Sequence, residues 1–240
     1  MASERARSIA QQVTGELVEA GARATALVGS RARGDAGPES DLDILAVGPQ
    51  SYSWNLQRRG GLLVSTSSKP FEEHRRAFAL PEVVCAVVPG WREAVILHDP
   101  EGLAASLTRE AKEWSWGPLE RSCDAWVAER ITGYAEEVHK LITALRNGNL
   151  STAAVQRSLL AVHLAPVLAV HRRILYSSEN LLWDLVSDAV GEEWRHEQSA
   201  ALGLDGEPFE ETCTAALRLY RLTAAETASL MDDGQGKVVR

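Results

Sequence analysis

The chain has 240 residues, of which 45% are hydrophobic, so it can bury a full core in one large or two modest domains, and we expect two. Its 25 Lys and Arg against 33 Asp and Glu give a formal net charge of -8, which argues against a nucleic-acid partner unless a local basic groove compensates. The N-terminal stretch lacks the apolar segment of a signal peptide, and no later run has the unbroken hydrophobicity expected of a membrane span. We therefore expect a cytoplasmic protein without a membrane contact.

Apolar periodicity predicts an α/β unit over about the first 115 residues. The sheet of this unit is expected to be small and mixed. Its predicted elements, in chain order, are a helix over residues 4–20, strands around 26–28 and 44–47, a strand over 62–66, a helix over 69–80, a strand over 93–98 and, after a turn at 99–102, a further helix.

From about Pro118 the periodicity becomes helical, and few strand-like runs remain. The expected helices cover residues 118–146, 151–175, 178–190 and 208–231. The polar, glycine-bearing segment 232–237 is expected to fray. The predicted fold class is therefore α+β, with an α/β domain over residues 1–115 and an all-α helical bundle over 116–240.

Between the first two strands lies the stretch most informative about function. Gly29-Ser30-Arg31-Ala32-Arg33-Gly34-Asp35 is followed, after a short loop, by Ser40-Asp41-Leu42-Asp43-Ile44. Because side chains alternate along a strand, Asp41 and Asp43 should point the same way while the intervening Leu42 points into the core. Two carboxylates this close repel each other unless a hard divalent cation lies between them, and Mg²⁺ is the natural occupant.

The upstream half of this stretch offers groups suited to phosphate. Gly29 has no Cβ, so the backbone can approach a phosphate closely, and the Ser30 hydroxyl and neighbouring amides can donate hydrogen bonds to it. Two interpretations of Arg31 and Arg33 remain. Either side chain could form bidentate hydrogen bonds to phosphate oxygens, or both could be solvated on a polar loop.

The order GS, a few residues, G, a short loop, then SDxD resembles the nucleotidyltransferase superfamily that includes polymerase β. It is most similar to the small bacterial branch of antibiotic nucleotidyltransferases and minimal nucleotidyltransferases, and the resemblance covers roughly residues 24–48. The site residues that the resemblance implies are Gly29, Ser30, Arg33 and Ser40 for the nucleotide, and Asp41 and Asp43 for magnesium and catalysis.

The resemblance implies magnesium-dependent transfer of a nucleoside monophosphate, AMP from ATP, to a hydroxyl, with release of pyrophosphate. The first domain would be the nucleotidyltransferase domain, and the helical domain would bind a small polar acceptor such as an aminoglycoside-like antibiotic. The alternative is a catalytically weakened regulatory or antitoxin-type protein of the same fold that acts on a partner protein. The oligomeric state is left open.

One feature of the family pattern is missing. A third carboxylate usually comes from a neighbouring strand, yet residues 61–68 contain none. Kanamycin-type relatives take a base from the helical domain, and by that analogy Glu136 is a catalytic candidate, since His139 and Lys140 would share its helix face. A solvated helix face is the competing and favoured reading of Glu136. Other carboxylates near the predicted strands or helix are Glu72, Glu73, Glu93, Asp99 and Glu137.

Overall fold

The computed structural model describes residues 4–239, apart from the side chain of Ser53. The chain folds into two compact units, the first ending at Ser115 and the second beginning at Trp116. This division coincides with the change from mixed to helical periodicity in the sequence. Whether the two units divide the function as expected stays a prediction.

The first unit is a mixed sheet with helices. Its elements in chain order are α1 (Glu4–Glu19), β1 (Ala24–Val28), α2 (Gly29–Arg33), β2 (Leu42–Val47), β3 (Tyr52–Arg59), β4 (Leu62–Lys69), α3 (Phe71–Ala77), α4 (Pro81–Arg92), β5 (Val95–His98) and α5 (Leu103–Glu113).

The five strands lie in the order β3-β4-β2-β1-β5. β2 and β4 are parallel, whereas the other neighbouring pairs are antiparallel, so the sheet is mixed as the sequence predicts. The apolar stripe of α1, which includes Ile9 and Val13, packs with Leu42, Ile44 and Val64 in one buried cluster. This packing fixes one face of the sheet as core and turns the other residues of β2 to the opposite face.

Three elements of the first unit were not predicted. α2 is a single helical turn where only a turn was expected, β3 is an edge strand with polar residues on both faces, and α4 begins with Pro81 at its first position. Proline fits there because the first helical amide has no partner within the helix. The strand expected over 62–66 is real, but it is the fourth strand of the chain.

The second unit contains helices only, among the residues described in it. They are α6 (Glu120–Arg146), α7 (Leu150–His171), α8 (Leu182–Val190), α9 (Glu192–Leu202), α10 (Phe209–Glu226) and α11 (Asp233–Val239), with three short 3₁₀ turns. α7 packs against α6 and α10, and its buried positions form much of the core. The mixed sheet followed by a helical part confirms the predicted α+β class. α9 was missed.

The expectation that segment 232–237 frays is wrong, because α11 begins there. Asp232 and Gln235 cap its first turn reciprocally: the Gln235 amide donates to Asp232 Oδ1 at 2.8 Å, and the Asp232 amide donates to Gln235 Oε1 at 3.1 Å. Such a capping box satisfies two backbone amides that the helix itself cannot, which offsets the low helix propensity of the glycines.

By length and composition α7 could cross a membrane, with a mean hydropathy of 1.5 over its most apolar window. Gln156, Arg157 and His163 interrupt its hydrophobic run, so the expected absence of a membrane span stays a prediction. Half of that window is buried inside the protein, and a buried core helix passes the same test.

Candidate functional site

The two aspartates of the motif lie at the start of β2, and the predicted alternation is present. Leu42 and Ile44 are 0% and 1% exposed in the core, whereas Asp41 and Asp43 are only partly buried. Asp43 lies opposite Val28 of β1 and opposite Ser65 of β4. The acid pair therefore lies on the sheet face opposite the α1 cluster, at the end of β2 that adjoins α2.

The two carboxyl groups interact electrostatically. Burial and then the negative charge of Asp41 raise the pKa of Asp43 from its ordinary 3.8 to about 6. A hydrogen bond from the Ser65 hydroxyl acts in the opposite direction, since it favours the ionised carboxyl. Asp43 thus carries a charge that the surrounding protein does not compensate.

Gly29 is shaped by its contact with Asp43. Its φ is +70°, a conformation that favours glycine, and a Cβ built on it would lie 2.8 Å from Asp43 Oδ2. Any side chain at this position would both strain the backbone and collide with the carboxylate. The turn after β1 therefore needs glycine in order to approach the acid pair.

Arg31 has a role that neither reading of the sequence anticipated. Its side chain is buried, and its Nε donates to the carbonyl oxygens of Asp41 at 2.8 Å and Ser40 at 3.2 Å, while Nη2 also donates to the Ser40 carbonyl. The guanidinium thus joins the α2 turn to the residue that carries the first carboxylate. Arg31 is therefore not solvated, and phosphate binding by it stays a prediction.

The remaining motif residues have local partners. The Ser30 carbonyl accepts the Gly34 and Asp35 amides at 2.9 and 3.2 Å, which closes the α2 turn and leaves its hydroxyl outside that bonding. Ser40 Oγ accepts the Gly37 amide at 2.9 Å and so shapes the connecting loop. Nucleotide binding by Ser30 and Ser40 stays a prediction.

Arg33 forms two ion pairs on the other side of the turn. Its Nε lies 3.1 Å from Asp35 Oδ2, and its Nη1 lies 3.7 Å from Glu93 Oε2. These carboxylates hold the guanidinium in place beside α2, and phosphate binding by Arg33 stays a prediction. Glu93, one of the spare carboxylates, is accounted for by this pair.

The other spare carboxylates of the first unit also have structural partners. Asp99 Oδ2 accepts the Ala105 amide at 2.9 Å at the start of α5, although its Oδ1 is buried without a partner. Glu72 pairs with Arg75, and Glu73 accepts a hydrogen bond from Ser51. Within residues 4–239 no cluster of three or more His, Cys, Asp or Glu side chains suits a metal ion.

Glu136 lies on α6 of the second unit. Its side chain is 70% exposed, its Oε1 lies 2.6 Å from Lys140 Nζ, and this contact lowers its pKa. Lys140 also lies 3.9 Å from Glu137. An exposed carboxylate with a lowered pKa is a weak proton acceptor, so its surroundings suit the solvated face better than a general base. A catalytic role for Glu136 stays a prediction.

The acid pair fits a hard divalent cation. Its donors are carboxylate oxygens, the two carboxylates lie on one face, and burial together with the charge of Asp41 raises the pKa of Asp43. Mg²⁺ usually keeps several waters and takes one or two carboxylates together with substrate phosphates. Asp41 and Asp43 would supply that share.

Two residues of the site were missed from the sequence. Ser65 belongs to a segment noted only for its lack of acids, and its place opposite Asp43 depends on the parallel pairing of β2 with β4. Arg31 was weighed only as a surface residue. Arg31 and Arg33 lie in the same short stretch between Gly29 and Gly34. Hydrophobic periodicity therefore cannot show that the first is buried and the second is not.

Comparison with known proteins found one family model and a solved structure similar to this chain. A family model described as a nucleotidyltransferase domain matches residues 14–97. A crystal structure of a nucleotidyltransferase-like protein from Exiguobacterium sibiricum superimposes with a TM-score of 0.54 over 98% of this chain and 77% of that chain, at 13% sequence identity. At this identity the likeness shows a shared fold alone. No curated protein sequence matches the chain.

Proposed function

We propose that the protein moves AMP from Mg²⁺-bound ATP to a hydroxyl of a small polar acceptor, a proposal supported by the match of residues 14–97 to a nucleotidyltransferase domain model. Pyrophosphate is the second product. An aminoglycoside-like antibiotic is the acceptor that the sequence resemblance suggests, with residues 116–240 as the acceptor-binding domain. The net charge of -8 supports a small molecule over a nucleic acid as acceptor.

The observation that carries this proposal is the contact between the glycine turn and the acid pair. Gly29 approaches so closely that a Cβ would lie 2.8 Å from Asp43 Oδ2. A phosphate held by the turn would therefore lie beside the carboxylates. A core-facing or widely separated acid pair would have no such relation to the turn.

The chain's residues then have distinct tasks. Asp41 and Asp43 hold the cation, which when bound neutralises phosphate charge and favours departure of pyrophosphate. The Gly29–Ser30 turn holds the phosphates, and Arg31 fixes the turn relative to Asp41. Most of the catalysis in such a site is placement and charge neutralisation, which rigid backbone contacts of this kind supply.

A second candidate function has its own support. Among residues 4–239 no third acidic, histidine or cysteine side chain joins the pair in a metal-binding cluster, and Glu136 is a poor base. A protein of this fold with weak or no turnover, which regulates a partner protein, would need no such third group. Nucleotide binding without transfer would favour this candidate.

The test is incubation with labelled ATP and Mg²⁺ against pooled aminoglycosides and other small hydroxyl compounds. We expect label to appear on a small molecule with the parent protein and to be lost with Asp41→Asn. Glu39→Gln is the matched control, because Glu39 is an exposed carboxylate of the same loop, two residues earlier. Label that persists in Asp41→Asn would contradict the proposal. Labelled GTP, CTP and UTP in parallel test the preference for ATP.

A further inference from the structure

Two large apolar side chains are exposed on the edge strand β3. Trp54 is 64% exposed and Leu56 is 45% exposed, on a strand whose sequence is otherwise polar apart from Tyr52. Exposed aromatic and aliphatic groups that lie together commonly mark a binding surface. Their position relative to the acid pair follows from the strand register.

The register places Leu56 on the same sheet face as Asp43. Asp43 pairs with Ser65 in the parallel β2–β4 ladder, and Ser65 pairs with Leu56 in the antiparallel β4–β3 ladder. Residues paired across neighbouring strands project from the same face. With strands about 4.8 Å apart, Leu56 lies about 10 Å from Asp43, measured between backbones across the sheet.

The opposite face of β3 is already in use. Asn55, Gln57 and Arg59 line a cleft with residues of α1, and Arg59 Nη1 pairs with Glu16 Oε1 at 2.5 Å. Trp54 directly precedes Asn55 and does not line that cleft. Trp54 therefore shares the face of Leu56, at a position where the ladder is irregular.

The direction of in-line transfer relates this surface to one substrate. The sheet order puts the Gly29–Ser30 turn, at the end of β1, on one side of Asp43, and β4 with β3 on the other. If the turn holds the departing pyrophosphate, the attacking oxygen must enter from the opposite side, since the two are roughly in line. The acceptor then lies over Ser65 and reaches Leu56 and Trp54.

The charges of this surface select among acceptors. On the face of Leu56, β3 and β4 carry Arg58 and Lys69 and no Asp or Glu, whereas Arg59 lies on the α1 face. A polycationic acceptor would meet like charge on these two strands. A flat ring with an apolar face would cover the indole and the leucine, as sugar and aryl rings do.

We propose that Trp54 and Leu56 form an acceptor platform that binds a neutral or anionic ring alcohol, such as a glycoside, by its apolar face. This inference rests on the proposed nucleotidyl transfer and narrows its acceptor class away from polycationic aminoglycosides. The hydroxyl of the ring attacks the α-phosphorus, the bond from that phosphorus to the bridging oxygen breaks, pyrophosphate leaves and the hydroxyl proton passes to solvent.

The test uses 4-nitrophenyl glucoside as the probe and kanamycin as the cationic comparison. Binding is measured by saturation-transfer NMR on the full chain with Mg²⁺ and a nonhydrolysable ATP analogue. We expect the glucoside to bind more tightly than kanamycin, Trp54→Ala to weaken it at least fivefold, and Trp54→Phe to stay within about twofold. Leu181→Ala, at an exposed leucine of the second unit, is the matched control.

The readouts separate this inference from the proposed function. Thermal unfolding of each variant verifies folding, and the affinity for Mg²⁺ and nucleotide should not change in Trp54→Ala. If the parent binds nucleotide but holds the glucoside equally well without Trp54, holds kanamycin more tightly, or holds neither probe, the platform is refuted and nucleotidyl transfer stands. If the glucoside binds through Trp54 but no label from ATP reaches any acceptor, the ring-binding surface stands, its role as an acceptor site is refuted and the proposed function fails.

Discussion

Replacing Asp43 with asparagine removes the charge that the fold half-buries beside Asp41. In the absence of divalent cations, we expect Asp43→Asn to be more stable than the parent protein at pH 8. The reason is that burial and the charge of Asp41 both penalise the ionised carboxyl in the folded state. Asparagine keeps the shape and an oxygen that can accept the Ser65 hydroxyl.

The magnitude follows from the pKa of Asp43, which rises from 3.8 to about 6 on folding. At about 1.4 kcal/mol per unit this corresponds to about 3 kcal/mol. Because the carboxyl is partly solvated, we expect about 1.5 kcal/mol in the free energy of unfolding. The folded state binds the proton more tightly, so the penalty is absent below about pH 4, grows between pH 4 and 6, and is complete above pH 6.

The assay is urea unfolding of both proteins in EDTA at a series of pH values between 4 and 8. The stability gap should open as the pH rises and should close again when Mg²⁺ is added, because the cation stabilises the parent only. Asp184→Asn, at an exposed aspartate of α8, is the control and should stay within about 0.5 kcal/mol at every pH. A gap that does not vary with pH, or a destabilised Asp43→Asn at pH 8, would refute the reasoning.

Three further substitutions test the surroundings of the site and the C-terminal helix. Gly29→Ala should cost roughly 1–3 kcal/mol of stability in urea unfolding and abolish nucleotide binding, because the backbone is strained and the methyl group meets Asp43. Arg31→Met should cost about 1–3 kcal/mol, since it leaves two half-buried carbonyl oxygens without this donor, and weaken Mg²⁺-dependent nucleotide binding measured by calorimetry. Asp232→Ala should raise the hydrogen-exchange rates of the α11 amides by about fivefold, as loss of a cap costs about 1 kcal/mol.

These expectations have matched comparisons within the chain. Gly133→Ala makes the same change in the middle of α6, where nothing lies within 4 Å of the added methyl group, and should stabilise the helix by up to about 1 kcal/mol. Equal effects at Gly29 and Gly133 would contradict the strain at the turn. Arg31→Lys keeps the positive charge but loses the guanidinium that bonds two carbonyl oxygens. If this variant were as stable as the parent, the contacts of Arg31 with these carbonyls would not stabilise the fold. Unchanged exchange in Asp232→Ala would show that α11 does not depend on its cap.

The parts of the site that the sequence predicts are those set by local alternation. Leu42 and Ile44 are apolar and every second residue is acidic, so the strand and the common direction of Asp41 and Asp43 follow from the pleat alone. The boundary between the two units is similarly visible in the local sequence. Hydrophobic residues recur with one period in strands and another in helices, and the period changes at this boundary. The Asp232 and Gln235 cap is local as well, because both residues lie within one helical turn.

The parts that escaped prediction depend on contacts between distant segments. Ser65 reaches Asp43 only because β4 pairs with β2 in parallel. The order and direction of strands in a sheet cannot be predicted from the sequence of one strand. β3 alternates Trp54 and Leu56 with polar Asn55 and Gln57, but these apolar side chains lie exposed at the sheet edge, so the strand lacks the buried apolar run of its neighbours. Arg31 is buried because it satisfies carbonyl groups of a loop nine residues away, which composition does not reveal.

The Arg31 contacts have a mechanical consequence. One guanidinium anchors the backbone of Asp41 to the turn that begins with Gly29, so a displacement of either is transmitted to the other. The exposed residues around Pro38, which connect the two, do not have to position Asp41. The direct contact with Arg31 does so instead. Insertions or deletions in that loop should therefore be tolerated as long as Arg31 can still bond the Asp41 carbonyl.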